Sequence, residues 1–161
     1  MITTTYLALG TNLGDKRLNL NRAIEEIKKR IGEVTKLSAF YSSEPWGFES
    51  TNYFVNAVIE VETRLNVRQL LKTTQQIEID LGRERKSTQN EYTDRVIDID
   101  ILFYGSLCIH EKDLIIPHPH LCKRDFVLVP LCEIAPDFQH PTLHQPICAL
   151  IKEKHTLDKL K

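Results

Sequence analysis

The chain has 161 residues, 42% of them hydrophobic and 27% charged, with a formal net charge of −1. That length suits a single domain, residues 1–161, with a real core, and the near-balanced charge argues against nucleic acid as the main partner, because phosphate binding draws on a basic excess. No run approaches the roughly 20 apolar residues that cross a bilayer, so no membrane contact is expected.

Met1 to Gly10 lacks the charged lead and long apolar stretch of a secretory signal, so the expected location is the cytoplasm. Cys108, Cys122, Cys132 and Cys148 form no CxxC pair and suggest no zinc site. They are expected to serve as small buried hydrophobes.

Residues 2–9 read as a strand. Residues 16–31 carry Leu20, Ala23, Ile24, Ile27 and Ile31 at helical spacing, and Gly32 supplies a stop. Residues 33–42 alternate loosely and predict a strand, and 43–52, with Pro, Gly, Ser and Asn, predict a loop. Residues 53–62 form a strong strand pattern. Asn66 caps a second predicted helix over 67–81, with Val67, Leu70, Leu71, Thr74, Ile77 and Leu81 as its stripe. The polar stretch 83–95 predicts a mobile loop, and 96–104 another strand.

The order βαββαβ predicts an α+β fold of ferredoxin-like type, an antiparallel sheet with both helices on one face. The sheet's other face then needs a cover. Residues 105–161 are expected to supply part of it, as an extension with a hairpin around Gly105 and Glu111–Lys112 and one or two short helices.

Chemistry concentrates on the last predicted strand. Alternation puts Asp98 and Asp100 on one face and Ile97, Ile99 and Ile101 on the other. Two carboxylates about 6–7 Å apart repel in an apolar setting, and a divalent cation between them removes the conflict. The apolar neighbours favour a central strand, and the bland reading is a solvent-facing pair on an edge strand.

Glu78 falls in the middle of the second helix's apolar stripe beside Gln75, near a helix C-terminus. Desolvation and the helix dipole both disfavour a carboxylate there, so it needs a partner, either a structural ion pair or a ligand. Arg83, Arg85, Lys86 and Arg95 fill the polar loop, and guanidinium forks suit phosphate. Phe54 and Asn56 share a face of the third strand, where an aromatic can stack on a flat ring and an amide can both donate to it and accept from it. His118 and His120, between prolines and ahead of Lys123 and Arg124, suit a phosphate or nucleotide contact as well as a metal. No P-loop, dinucleotide fingerprint or nucleophile elbow is present.

Taken in order, Leu9-Gly-Thr-Asn-Leu-Gly-Asp15, Phe40–Gly47, Phe54-Val-Asn56, Gln75-Gln-Ile-Glu78, Gly82-Arg-Glu-Arg85, Arg95-Val-Ile-Asp98-Ile-Asp100, Pro117-His118 and Arg124-Asp-Phe126 resemble the 6-hydroxymethyl-7,8-dihydropterin pyrophosphokinases of the folate pathway. The resemblance runs from about Tyr6 to Pro136. It implies transfer of pyrophosphate from ATP to the pterin's hydroxymethyl oxygen with release of AMP.

It implies Asp98 and Asp100 as ligands of two Mg²⁺ ions, with Arg83, Arg85 and Arg95 clamping phosphate. Arg83, Arg95, Asp98 and Asp100 are then the catalytic set. Gln75, Glu78, Ile99, His118 and Arg124 join the three arginines in the ATP pocket. Phe54 and Phe126 sandwich the pterin, and Asn56, Asp98 and groups near Ser43 and Trp46 contact its edge.

The chain departs from the family pattern at Thr93-Asp94 before Arg95, where Gly-Pro is common, at Tyr92 for Trp, at Glu44 for Pro, and at Pro119 for Tyr. A monomer with small-molecule substrates is expected. Two other classes fit parts of the pattern: a metal-dependent phosphohydrolase, and a ferredoxin-like RNA-binding module.

Overall fold

The computed structural model describes residues 1–43, 53–83, 96–151 and 158–160, with Ser43, Arg83 and Asp158 described by backbone alone. In chain order these residues form β1 (Thr3–Thr11), α1 (Lys16–Arg30), β2 (Gly32–Leu37), β3 (Tyr41–Ser43), β4 (Phe54–Thr63), α2 (Val67–Glu78) and β5 (Asp98–Tyr104). A hairpin of β6 (Ile109–Glu111) and β7 (Leu114–Ile116), α3 (Asp125–Ile134) and β8 (Asp158–Lys159) follow.

The main sheet runs β5-β1-β4-β3-β8, with β2 also paired to β4, and its long pairings are antiparallel. Central β1 pairs with β4 from Thr3↔Thr63 to Thr11↔Val55 and with β5 from Thr5↔Tyr104 to Gly10↔Asp98. A bulge opposite Tyr6 and Leu7 takes Leu102 out of register, so Leu102 and Phe103 both pack on one face.

The helices form for local reasons. Asp15 caps α1 by accepting the Leu18 N–H at 3.0 Å. Lys28, Lys29 and Arg30 sit in the last turn, where cations suit the helix dipole. Leu20, Ala23, Ile24 and Ile27 are its buried face. Asn66 and Gln69 cap α2 reciprocally, each side chain bonding the other's backbone N–H.

The expected helix over 67–81 ends earlier. At Glu78 it widens into the turn Ile79–Arg83, where Gly82 adopts φ 141° against Val96. The expected strand over 33–42 is two strands. Ser38 breaks it by placing its hydroxyl on the Val58 N–H at 3.0 Å, and the Ala39 N–H turns to Glu133 on α3.

The sheet separates two apolar clusters. One joins Leu7, Leu9, Val55, Ala57, Ile59, Val61, Ile97, Ile99 and Ile101 to the buried stripes of α1 and α2, with Leu114 and Ile116 from the hairpin. The other joins Tyr6, Val58, Leu102 and Phe103 to Val127, Leu128, Leu131 and Ile134 of α3. Part of the second face is thus packed by a ten-residue helix, α3, where short helices were expected. Its run FVLVPLC is apolar all round, which is why no stripe marks it.

The reading of the cysteines needs correction. Cys132 in α3 and Cys148 in the turn Ile147–Leu150 are joined as a disulfide, and Cys108 is exposed. The two linked residues meet because that turn folds back onto α3, a contact between segments 16 residues apart that no local pattern announces. No helix among the described residues is long and apolar enough to cross a membrane.

Candidate active site

Asp98 and Asp100 lie on β5, half-buried, while Ile97, Ile99 and Ile101 are buried on the opposite face. The alternation read from the sequence holds. The expected central strand does not: among the described residues β5 is the outermost strand, paired through β1 alone in the main sheet. Its apolar residues come from packing against α2 and the hairpin, which wrap the edge and hide it from water.

That wrapping also engages two of the edge's hydrogen-bonding groups. Glu78 Oε2 accepts the Ile99 N–H at 2.7 Å, and the His118 N–H donates to the Leu102 carbonyl at 3.1 Å. Glu78 is only 5% exposed. At least one oxygen of this buried side chain therefore has a structural task, tying α2 to β5, and its burial is tolerated because a backbone donor meets it.

Between α2, β5 and the hairpin lies a cleft of about 470 Å³. Gln75, Glu78, Asp98, Ile99, Asp100 and His118 all line it. The sequence missed the far wall, which Lys112 to Ile115 of the hairpin supply opposite Leu71 and Thr74. Leu71 and Thr74 were legible as the same helical face as Gln75 and Glu78. The hairpin was expected around Glu111–Lys112, but its place as a wall of the cleft was not, since that depends on non-local contacts. One of these is Arg68 on α2, which holds the hairpin turn through Glu111 and through Asp113 at 2.9 Å.

His118 lines the cleft beside Asp100, and Arg124 stands close to the same carboxylate. His118 Nδ1 accepts the His120 N–H at 3.1 Å, so the neutral ring carries its proton on Nε2, which lies 3.9 Å from Asp100 Oδ2. Burial, then the nearby Arg124 and His120, push the His118 pKa down to about 4. The ring is a neutral donor at neutral pH. Arg124 stands 3.8 Å from Asp100 and 5.6 Å over the Phe126 ring.

Round the edge, on the face that α3 covers, sheet register builds a second surface. Asn56, Gly10 and Asp98 are directly paired across β4, β1 and β5, and so are Val58, Ala8 and Asp100 in the next row. Paired residues share a face. Asn56 is buried, Phe54 lies two residues before it on the same face, and Phe126 is half-buried in the first turn of α3. Asp98 and Asp100 therefore belong to both surfaces, which only an edge strand allows.

Trp46, Arg85 and Arg95 lie outside the described residues, as do most of the predicted loops 43–52 and 83–95. Among the described residues no group of three or more His, Cys, Asp or Glu side chains could hold a metal. A zinc site with three or four protein ligands is not what this donor set offers. Two half-buried carboxylates beside an open cleft do fit Mg²⁺, which takes one or two carboxylates and fills its octahedron with waters and phosphate oxygens.

Residues 6–136 match the family model described as 7,8-dihydro-6-hydroxymethylpterin-pyrophosphokinase (HPPK). The 2-amino-4-hydroxy-6-hydroxymethyldihydropteridine pyrophosphokinase of Porphyromonas gingivalis is 44% identical over 88% of this chain and 96% of its own length. The Aquifex aeolicus protein of the same name is 39% identical over 91% of this chain and 89% of its own.

A solved Plasmodium falciparum HPPK-DHPS wild-type chain has the same fold, with a TM-score of 0.77 at 18% identity. The match covers 93% of this chain and 44% of that longer one. The family match covers the whole cleft and both rows of the sheet, and this chain belongs to the 7,8-dihydro-6-hydroxymethylpterin-pyrophosphokinase family.

Proposed function

We propose that the two surfaces meeting at β5 are the two halves of one pyrophosphokinase site, with nucleotide in the cleft and pterin on the α3 face. Family membership gives the reaction, pyrophosphoryl transfer to hydroxymethyldihydropterin in folate synthesis, with ATP as co-substrate. The observation that carries the assignment is the shared position of Asp98 and Asp100. Both line the cleft, and on the other face Asp98 stands in register with Gly10 and Asn56 while Asp100 stands in the next row, with Ala8 and Val58.

In this reading Gln75, Glu78, Ile99, His118 and Arg124 hold ATP, and Arg83, Arg85 and Arg95 clamp its phosphates. Asp98 and Asp100 would hold two Mg²⁺ ions, which when bound supply positive charge to the phosphate oxygens and acidify the attacking hydroxyl. Phe54 and Phe126 stack on the pterin, Asn56 and groups near Ser43 and Trp46 read its edge, and Asp98 faces its hydroxymethyl group.

The hydroxyl attacks the β-phosphorus in line and AMP leaves on the opposite side. The protein's contribution is positioning, charge neutralisation and exclusion of water, since phosphoryl chemistry needs little covalent help. The Nε2–H of His118 donates to phosphate, and Arg124 carries a permanent charge.

Residues 1–161 act as one unit, a cytoplasmic monomer, and the β5-β1-β4-β2 order corresponds to the ferredoxin-like arrangement. Purified protein given ATP, Mg²⁺ and hydroxymethyldihydropterin is expected to release AMP only when the pterin is present. Phosphate release without an acceptor would point instead to a phosphohydrolase, and no AMP at all would end the proposal.

A further inference from the structure

The pterin face contains a close approach that the roles above do not use. Gly10 sits in central β1, flanked in register by Asn56 on β4 and Asp98 on β5. A Cβ added at Gly10 would lie 2.8 Å from Asn56 Oδ1 and 3.9 Å from its Cγ. The Asn56 carboxamide therefore leans out of its own strand and over β1, across the spot where any other residue would put its side chain. It leans towards the strand that bears Asp98.

From this geometry we infer that Gly10 is a positioning residue for substrate selection: its missing side chain sets the direction of the Asn56 amide. The inference rests on the proposed role of Asn56 at the pterin edge. Asn56 is 6% exposed, so its amide has little room to choose another orientation. The two-strand span from Asn56 to Asp98 is about 9–10 Å at ordinary strand spacing. That is the span a bicyclic ring with a one-carbon arm must bridge between the amide that reads its edge and the carboxylate that faces its hydroxyl. A methyl at position 10 would push the amide back towards β4 and shorten its reach.

The obstructed atom is the end of a side chain, not backbone, so the methyl displaces an amide rather than a strand. Gly10 also keeps an ordinary extended backbone in β1, and the left-handed glycines are elsewhere, at 14, 82 and 105. Alanine at position 10 is therefore compatible with the fold, and what it disturbs is the orientation of one hydrogen-bonding group. A misdirected amide leaves a polar edge of the ring imperfectly paired, which costs more than losing a neutral contact.

The test is a double-mutant cycle of Gly10→Ala and Asn56→Ala, read by pterin and ATP-analogue affinity in the intact protein. Gly10→Ala should weaken pterin binding about tenfold, a loss typical of one misplaced hydrogen-bonding group, and leave ATP-analogue affinity within about twofold. In the Asn56→Ala background the same methyl meets no carboxamide and should change pterin affinity by less than about twofold.

Unchanged pterin affinity in Gly10→Ala, or an equal loss in both backgrounds, would overturn the inference. Should Gly10→Ala alone fail to fold, the comparison of Asn56→Ala with the double variant decides. Equal melting temperature and pterin affinity there support the inference, and a further loss overturns it. Failure of the functional reading itself looks different, because the wild-type protein would then bind no pterin.

Discussion

The two faces of the sheet are built differently. The face under α1 and α2 is aliphatic from end to end, with Leu7, Leu9, Ile59, Leu70 and Ile77 essentially inaccessible to water. The face under α3 is divided. Its lower half is sealed by Phe103, Tyr6, Leu121 and the α3 leucines, with Phe138 stacked at 4.8 Å on Phe103. Its upper half carries Asn56, Gly10, Asp98 and Asp100, and buried Val58 marks the boundary, in register with Asp100 through Ala8. One face holds the molecule together so that the upper half of the other can be left polar. The comparison teaches that stability and the proposed chemistry share strands and overlap in few side chains, Glu78 and Ile99 among them.

The sharpest way to break that division is at Asp98 or Asp100. Asparagine at either should cut AMP release on the order of a thousandfold while the melting temperature holds, because the lost charge acts on the reaction and not on packing. A near-normal kcat in either variant would refute the metal role. The converse comes from Ile77, fully buried on the aliphatic face. Ile77→Ala should cost roughly 2–5 kcal/mol in urea unfolding, by lost burial and a residual cavity, yet leave kcat of the folded fraction nearly intact.

Smaller effects probe the seam between the faces. Glu133 on α3 accepts the Tyr41 hydroxyl at 2.7 Å and the Ala39 N–H at 3.1 Å, bracing the break between β2 and β3. Burial and this carboxylate push the Tyr41 pKa up to about 12. Glu133→Ala should cost about 0.5–1.5 kcal/mol, since it removes hydrogen bonds from one exposed and one partly buried donor, and the Tyr41 phenol should titrate at lower pH. An unmoved tyrosine titration would show that the brace is not what holds it.

The gentlest effect concerns His140, which packs edge-on against Phe103 and accepts the Thr142 and Leu143 N–H groups at Nδ1, each at 3.2 Å. Burial, then neighbouring His144, lowers its pKa below 6.5. The unfolded chain thus binds a proton that the folded chain refuses. Stability from the neutral ring is complete above the unfolded value and drains as pH falls below about 6.5 towards the lowered folded value. His140→Asn should flatten the fall of melting temperature from about pH 7 to 5, and parallel slopes for the two proteins would discard this account.

Much of this division was legible in the sequence because it rests on local periodicity. The stripe of α1, the wrong-face carboxylate of Glu78 and the alternation of Asp98 and Asp100 with isoleucines all follow from spacing alone. What periodicity does not carry is which strand lies at the edge. Val96 to Tyr104 reads as a central strand because helix and hairpin supply the apolar surroundings that flanking strands would. Ser38 looked like one more strand residue, since its exchange of side chain for backbone depends on Val58, 20 positions away. The Cys132–Cys148 link and the hairpin wall of the cleft were hidden for the same reason: each depends on a long-range meeting of segments.

The capped edge of β5 has a consequence for the protein in crowded solution. An open strand edge offers its N–H and C=O groups to any passing extended chain, and such edges seed aggregation. The proposed site sets Asp98 and Asp100 on such an edge, so the edge has to be kept without being advertised. Glu78 takes the Ile99 N–H and the His118 peptide takes the Leu102 carbonyl, leaving a visiting strand nothing to dock on at those two positions. Two residues that line the cleft thereby also act as its guards against self-association.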